Sequence, residues 1–311
     1  MKLSIVSTLY CSSRYIDEFY KRISLEANKV TDSYEIIFVN DGSPDNSLSV
    51  ARHICLHDSH VKVVDLSRNF GHHPAMMCGL ECAEGERVFL IDVDLEELPE
   101  ALSKFWQVME QDADIDVVIG QLAEKTVPFF KRTTSDLFYK LFNSLSAVKI
   151  SSRDIVSRLM TRNYVDALLA YGEKEIFFPA IWEDAGFKQV RVLATKAFDG
   201  HSTYTLRKKL TMAVDAITSF SSKPLIYIFY LGLAFSMGAL AFITYLVLRK
   251  LIVGQVILGW TSMMAALFLI GGIIIFSLGL IGIYLSKIYI QVKSRPKSIV
   301  KKIYEHHIVK R

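Results

Sequence analysis

Two stretches without a charged residue, Leu225–Leu248 and Leu251–Ser286, limit what this chain can become. A helix on the surface of a soluble protein keeps a polar face, and these runs have none. A hydrocarbon core about 30 Å thick is spanned by roughly 20 apolar residues. Both runs are long enough, although Gly254, Gln255 and Gly259 weaken the start of the second. The pattern predicts membrane helices over 225–248 and 261–286, with Arg249 and Lys250 in a short turn between them. Lys223, Lys287, Lys293, Arg295, Lys297, Lys301 and Lys302 flank the outer ends. The positive-inside rule then puts the large N-terminal part and both termini in the cytoplasm, at the cell membrane.

The divisions that follow are a cytoplasmic domain over 1–205, an interfacial amphipathic helix over 206–224, a two-helix hairpin over 225–286 and a basic cytoplasmic tail over 287–311. Leu206, Leu210, Val214, Ile217 and Phe220 form one stripe beside Arg207, Lys208 and Lys209, the pattern of a helix lying in the membrane interface. An aromatic-rich helix is expected from about Phe129 to Val148. Leu3–Leu9 is too short for a signal peptide and no cleavage-type site follows it. Cys11, Cys55, Cys78 and Cys82 have neither CxxC nor zinc-type spacing and are expected to be reduced. The net charge of +4 is modest and gathers near the membrane, which suits a bilayer of anionic lipids better than nucleic acid. Gly271, Gly272, Gly279 and Gly282 could pack helices within a subunit or between subunits of a homo-oligomer.

In the N-terminal part, strand-like runs at Leu3–Leu9, Tyr34–Asn40, Val61–Ser67, Arg87–Asp92 and Asp116–Gly120 alternate with helical patterns. Ser43-Pro44-Asp45 reads as a helix start with Ser43 as the cap. Alternation of this kind predicts an α/β domain, a mostly parallel sheet covered on both faces. Ligands of such sheets bind beyond the carboxyl ends of the strands. Asn40-Asp41, Ser67-Arg68-Asn69 and Asp92-Val93-Asp94 each follow a different strand at that end. In the third, an apolar run leads into Asp92, Asp94 and Glu96 at alternate positions, which on an extended backbone face one way. Grouped carboxylates suit a hard cation, Mg²⁺ or Mn²⁺, that would hold a diphosphate. A solvated acidic turn is the plainer reading of that run by itself.

The ordered set of motifs resembles the family-2 glycosyltransferases of the polyprenyl-phosphate type. The matching pieces are Asn40-Asp41-Gly42-Ser43, Ser67-Arg68-Asn69-Phe70-Gly71, Asp92-Val93-Asp94-Leu95-Glu96, Lys131-Arg132 with Ser135, Arg158-Leu159-Met160, Gly200-His201-Ser202 and the tail through Arg295-Pro296. The resemblance implies a Rossmann-like nucleotide-diphospho-sugar transferase domain followed by interfacial and transmembrane helices. It implies a membrane-bound, metal-dependent, inverting hexosyltransferase that moves one sugar from a nucleotide-diphospho-sugar donor to polyprenyl (undecaprenyl) phosphate in cell-envelope glycan modification. Asp92 and Asp94 are then catalytic and hold Mg²⁺ or Mn²⁺ together with Glu96. Thr8, Tyr10, Asn40, Asp41, Arg68 and Asn69 bind the donor. Lys131, Arg132, Ser135 and Arg158 are the candidates for the acceptor phosphate. The chain departs from the family in reading Thr8-Leu9-Tyr10-Cys11 for Pro-x-Tyr-Asn and Ile155-Val156-Ser157-Arg158 for Gly-Asp-Phe-Arg. Both departures bear on donor and acceptor choice.

An attacking phosphate is already an anion at neutral pH, with a second pKa near 6, so this chemistry asks for no strong general base. His72 and His73 therefore read as packing or donor-contact residues. A hydroxyl acceptor on another lipid or glycan, or a weakly catalytic scaffold that binds nucleotide-sugar, are the rival readings.

Overall fold

The computed structural model describes residues 1–122, 142–145, 148–151, 153–174, 176–194, 218, 221, 223–253, 259–306 and 308–310. Among them two compact units separate. The first comprises Met1–Lys140, Val148–Thr205 and Arg295–Arg311, and the second Leu141–Ala147 and Leu206–Ser294.

The first unit begins with the predicted alternation: β1 (Leu3–Leu9), α1 (Ile16–Val30), β2 (Tyr34–Asn40), α2 (Ser47–His57), β3 (Val61–Leu66), α3 (His72–Cys82), β4 (Arg87–Leu90), α4 (Ala101–Gln111) and β5 (Val117–Leu122). β6 (Asp154–Thr161), α5 (Arg162–Ala170), α6 (Phe178–Asp184) and β7 (Gln189–Ala194) follow. With β8 (Val300–Glu305) and β9 (Ile308–Lys310) from the end of the chain, the strand order is β7-β5-β6-β4-β1-β2-β3-β8-β9. β1 pairs with β2 and β4, and β2 with β3, all parallel. β6 runs antiparallel between β4 and β5, so the sheet is mixed.

The parallel core follows from sequence. Every residue of β1 and β2 is buried, and continuous apolar runs covered on both faces have no other stable home. Leu3, Ile5, Phe19, Ile36, Phe38, Phe89 and Phe105 join one cluster beneath α1 and α4. Ser43-Pro44-Asp45 does not cap α2, which starts at Ser47 after Asn46 with no side-chain cap. Asp45 instead ties two loops together. Its Oδ1 accepts from Ser43 Oγ (2.6 Å), Ser47 Oγ (2.5 Å) and the Ser47 amide (3.0 Å), and its Oδ2 from the Ser13 amide (3.1 Å). Burial pushes this carboxyl up, but those hydrogen bonds outweigh it and hold Asp45 well below the usual carboxylate range.

The segment predicted as a basic tail contributes structure of its own. β8 (Val300–Glu305) lies antiparallel on β3, and β9 (Ile308–Lys310) on β8. Lys62 is within 3.4 Å of Glu35, 3.7 Å of Glu84 and 3.6 Å of Glu305, joining β2, β3 and β8. The Ser67 amide donates to Ile299 O (2.9 Å), which carries this pairing to the foot of the Ser67–Gly71 loop.

The second unit holds α7 (Lys223–Val253) and α8 (Trp260–Val292). Tyr284 Oη donates to Ser221 O at 2.5 Å, and Lys223 Nζ to Ser144 O at 2.7 Å. Among the described residues Leu269–Val292 is long and apolar enough to cross a membrane, with a mean hydropathy of 2.2. The apolar stretch of α7 that stands out by the same measure is the shorter Lys223–Phe235. Their large side chains face outward: Phe229 is 66% and Ile275 72% exposed.

Candidate active site

β1 to β4 are parallel, so the loops that follow them open on one edge of the sheet. Asn40 is the last residue of β2, and its Nδ2 donates to Asp65 Oδ1 on β3 (2.8 Å). Asp41, 3% exposed, turns both carboxylate oxygens to the next loop. It accepts from the amides of Phe70 (2.7 Å) and Gly71 (3.0 Å). Burial raises its pKa, against which those two amides and the charges nearby work. Asp41 therefore shapes the Ser67–Gly71 loop. Arg68 and Asn69 stand exposed on that loop, with the Arg68 guanidinium 3.9 Å from the Phe70 ring centre. Tyr10 is 52% exposed just past β1, while Thr8 is nearly buried and its Oγ1 lies 3.1 Å from His72 Nδ1.

The acids lie past the end of β4. That strand stops at Leu90, and Asp92 to Glu96 occupy a turn. Asp94 Oδ1 accepts the Glu96 amide (3.0 Å), and Leu95 adopts φ +61° to close the bend. His72 Nε2 lies 3.4 Å from Asp92 Oδ1. A cavity of about 330 Å³ opens here, and Asp92, Asp94, Glu96, Glu97, Asp154, Arg158, Trp182 and Glu183 are among the residues that line it. The structure thus brings Asp92, Asp94, Glu96 and Arg158 to one cavity. Thr8, Tyr10, Asn40, Asp41, Arg68 and Asn69 are not on its walls but on the strand ends and loops along the same sheet edge. Lys131, Arg132 and Ser135 lie outside the described residues, as do the predicted Phe129–Lys140 helix start and the interfacial stripe through Ile217.

Three site residues were passed over in the sequence. Glu97 is 5% exposed, and burial followed by the charge of Asp92 pushes its carboxyl up to about 7. Trp182 stacks on Phe178 at 4.9 Å and carries the Arg158 guanidinium on its ring. Asp154 receives Arg191 at 3.1 Å. Arg158 itself is 1% exposed, and burial draws its pKa down to about 10.

The donor set suits a hard divalent cation, because every candidate ligand is a carboxylate oxygen. Among the described residues no three of His, Cys, Asp and Glu gather into a metal cage. Two carboxylates supplemented by substrate phosphate and water form a common Mg²⁺-type site, and Asp92 and Asp94 fit that arrangement.

The sequence model described as "Glycosyl transferase family 2" matches residues 4–169, from the first strand through the cavity to α5. The chain belongs to this family. A family-2 glycosyltransferase is an enzyme of sugar transfer, and the matched span takes in Asp92, Asp94, Glu96 and Arg158. Among curated relatives, a protein of Mycobacterium tuberculosis called "Putative glycosyltransferases" is 41% identical over 98% of this chain and 89% of its own. The SfII prophage-derived bactoprenol glucosyl transferase of Shigella flexneri is 31% identical over 97% of this chain and 98% of its own. Among solved structures, the mannosyltransferase PcManGT of Pyrobaculum calidifontis, in complex with GDP-Man and Mn²⁺, shares the fold. It superimposes with a TM-score of 0.50 at 14% identity, covering 94% of this chain and 85% of that one.

Proposed function

We propose that this glycosyltransferase moves one sugar from a nucleotide-diphospho-sugar to polyprenyl phosphate at the cytoplasmic face of a membrane. The observation that carries the reading is the near full-length kinship with the bactoprenol glucosyl transferase of Shigella flexneri. A cavity lined by several acids and a buried arginine is in keeping with it.

The loops past β1, β2 and β3 receive the donor nucleotide, with Thr8, Tyr10, Asn40, Asp41, Arg68 and Asn69 as its neighbours. Asp92 and Asp94, with Glu96 beside them, hold Mg²⁺ or Mn²⁺. When bound, that ion stabilises the negative charge growing on the leaving diphosphate. Arg158 is preorganised for an anion: it is desolvated, always charged and backed by Trp182. It meets the acceptor phosphate, whose own oxygen attacks C1 of the sugar while the C1–O bond to the diphosphate breaks. Lys131, Arg132 and Ser135 are assigned to the same phosphate from the sequence motif. α7 and α8 span the bilayer as a pair, which confines the enzyme to the surface where a lipid acceptor resides.

The test is transfer from a panel of labelled nucleotide-sugars to undecaprenyl phosphate or diacylglycerol by the full chain in detergent, with Mg²⁺ or Mn²⁺. Label is expected on the phosphate lipid, and Asp94→Ala is expected to abolish it. Transfer to diacylglycerol alone would select the hydroxyl-acceptor reading. Full activity in excess chelator would remove the metal.

A further inference from the structure

Glu97 takes no part in the chemistry above, yet it is buried against β6. Its Oε1 accepts the Val156 amide (3.0 Å) and its Oε2 the Ser157 amide (2.7 Å). Neighbouring amides of a regular strand point to opposite sides, so one carboxylate cannot reach both unless the strand is irregular. It is irregular here. β5 and β6 pair at Ile119–Arg158 and then at Gln121–Asp154, so Gly120 alone faces Ile155, Val156 and Ser157. β4 offers no ladder there, because its pairing with β6 ends at Leu90–Arg158.

The polar groups freed by this bulge are shared between two charged side chains. Glu97 takes the amides. Arg158 turns back and takes the carbonyls, Nη2 donating to Ile155 O (3.0 Å) and Nε to Val156 O (3.1 Å). Gly120 is the residue the bulge requires opposite it, since a Cβ would stand 2.7 Å from both Ile155 Cδ1 and Ser157 Oγ. Bulges beside active sites re-aim side chains, and this one ends at the arginine of the cavity.

We infer that Glu97 is a positioning residue for Arg158. Through the three-residue bulge it fixes the guanidinium on the wall of the acidic cavity, where an anionic acceptor meets it. The inference rests on the acceptor-phosphate reading of Arg158 given above. A carboxylate that served only the stability of β6 would change the amount of folded enzyme, not the affinity of the folded enzyme for its acceptor.

A double-mutant cycle in the full chain tests this. Glu97→Gln keeps the volume but turns an NH₂ group toward one of the two amides. Arg158→Met removes the guanidinium, and Arg158→Lys is the second variant should the first not fold. The readouts are KM for undecaprenyl phosphate and the thermal midpoint. Each single variant is expected to raise the acceptor KM by about tenfold or more, and the double to be no worse than the larger single, as coupled residues behave. An unchanged acceptor KM in Glu97→Gln, or a double-variant effect equal to the product of the two, overturns the inference. Arg158→Met without effect on the acceptor KM sinks the acceptor reading instead. Additive thermal midpoints would then overturn the positioning link as well, because a carboxylate that holds the guanidinium through the bulge must be coupled to it.

Discussion

Gly42→Ala isolates the link between the β2 and β3 loops. Gly42 has φ +59°, where an alanine is disfavoured by about 1–2 kcal/mol. Space is the greater obstacle. A methyl group would lie 2.5 Å from the Arg68 carbonyl carbon and 3.0 Å from its Cα, with the Asn69 nitrogen closer still. All three are backbone and cannot rotate away. The gap must open by about 1 Å to reach van der Waals separation near 3.5 Å. The hydrogen bond from the Phe70 amide to Asp41, now 2.7 Å, crosses the same gap and would stretch beyond bonding range. A hydrogen bond to a charged group contributes about 1.5–3 kcal/mol. If the Ser67–Gly71 loop receives the donor, that loss corresponds to about 10- to 150-fold weaker donor binding. The assay is donor KM in the transfer reaction, with the acceptor saturating and the thermal midpoint recorded in parallel. A donor KM changed by less than about twofold, or ~0.4 kcal/mol, would refute the reasoning.

Asp45→Ala removes the acceptor shared by Ser13, Ser43 and Ser47, and is expected to destabilise the first unit by about 2–3 kcal/mol. A thermal midpoint within about 2 °C of the parent, where roughly 2–4 °C per kcal/mol is normal, would show that the hub is dispensable. His73 is drawn below the ordinary histidine pKa by burial, even though its Nδ1 has Ile176 O as a partner at 2.9 Å. The sign follows: the unfolded chain binds a proton near pH 6.5 that the folded chain resists, so stability is lost as pH falls through that value. Thermal midpoints compared at pH 7.5 and 5.5 should drop in the parent and drop less in His73→Asn. Equal slopes in the two proteins would rule His73 out as the source.

The first four strands were legible because they are buried on both faces. Runs such as Ile36-Ile37-Phe38-Val39 admit few alternatives, and the polar residues after them fell where loops were expected. Beyond β5 the signal fades. β6 reads Asp-Ile-Val-Ser-Arg-Leu-Met-Thr, and what makes it a strand is its place between β4 and β5 rather than a period in its own residues. Glu97 was missed for a specific reason. Alternation by two grouped Asp92, Asp94 and Glu96, but that rule holds only on extended backbone, and β4 ends at Leu90. Past it, the bend at Leu95 sends the next acid inward to β6. In the sequence Asp45 reads as part of a helix start because its neighbours Ser43 and Pro44 suit one. Three of its hydrogen bonds stay local, on Ser43 and Ser47, but the fourth reaches the Ser13 amide 32 positions earlier, a contact no local pattern contains.

β8 seals the open side of β3 only after α7 and α8 have been made. Until residues 300–305 emerge from the ribosome, β3 presents a bare row of amides and carbonyls, an invitation to wrong partners. The nascent domain must wait, its rim incomplete, while the intervening apolar helices are synthesised. Growth of the polypeptide and maturation of the enzyme are in this way put in a fixed order.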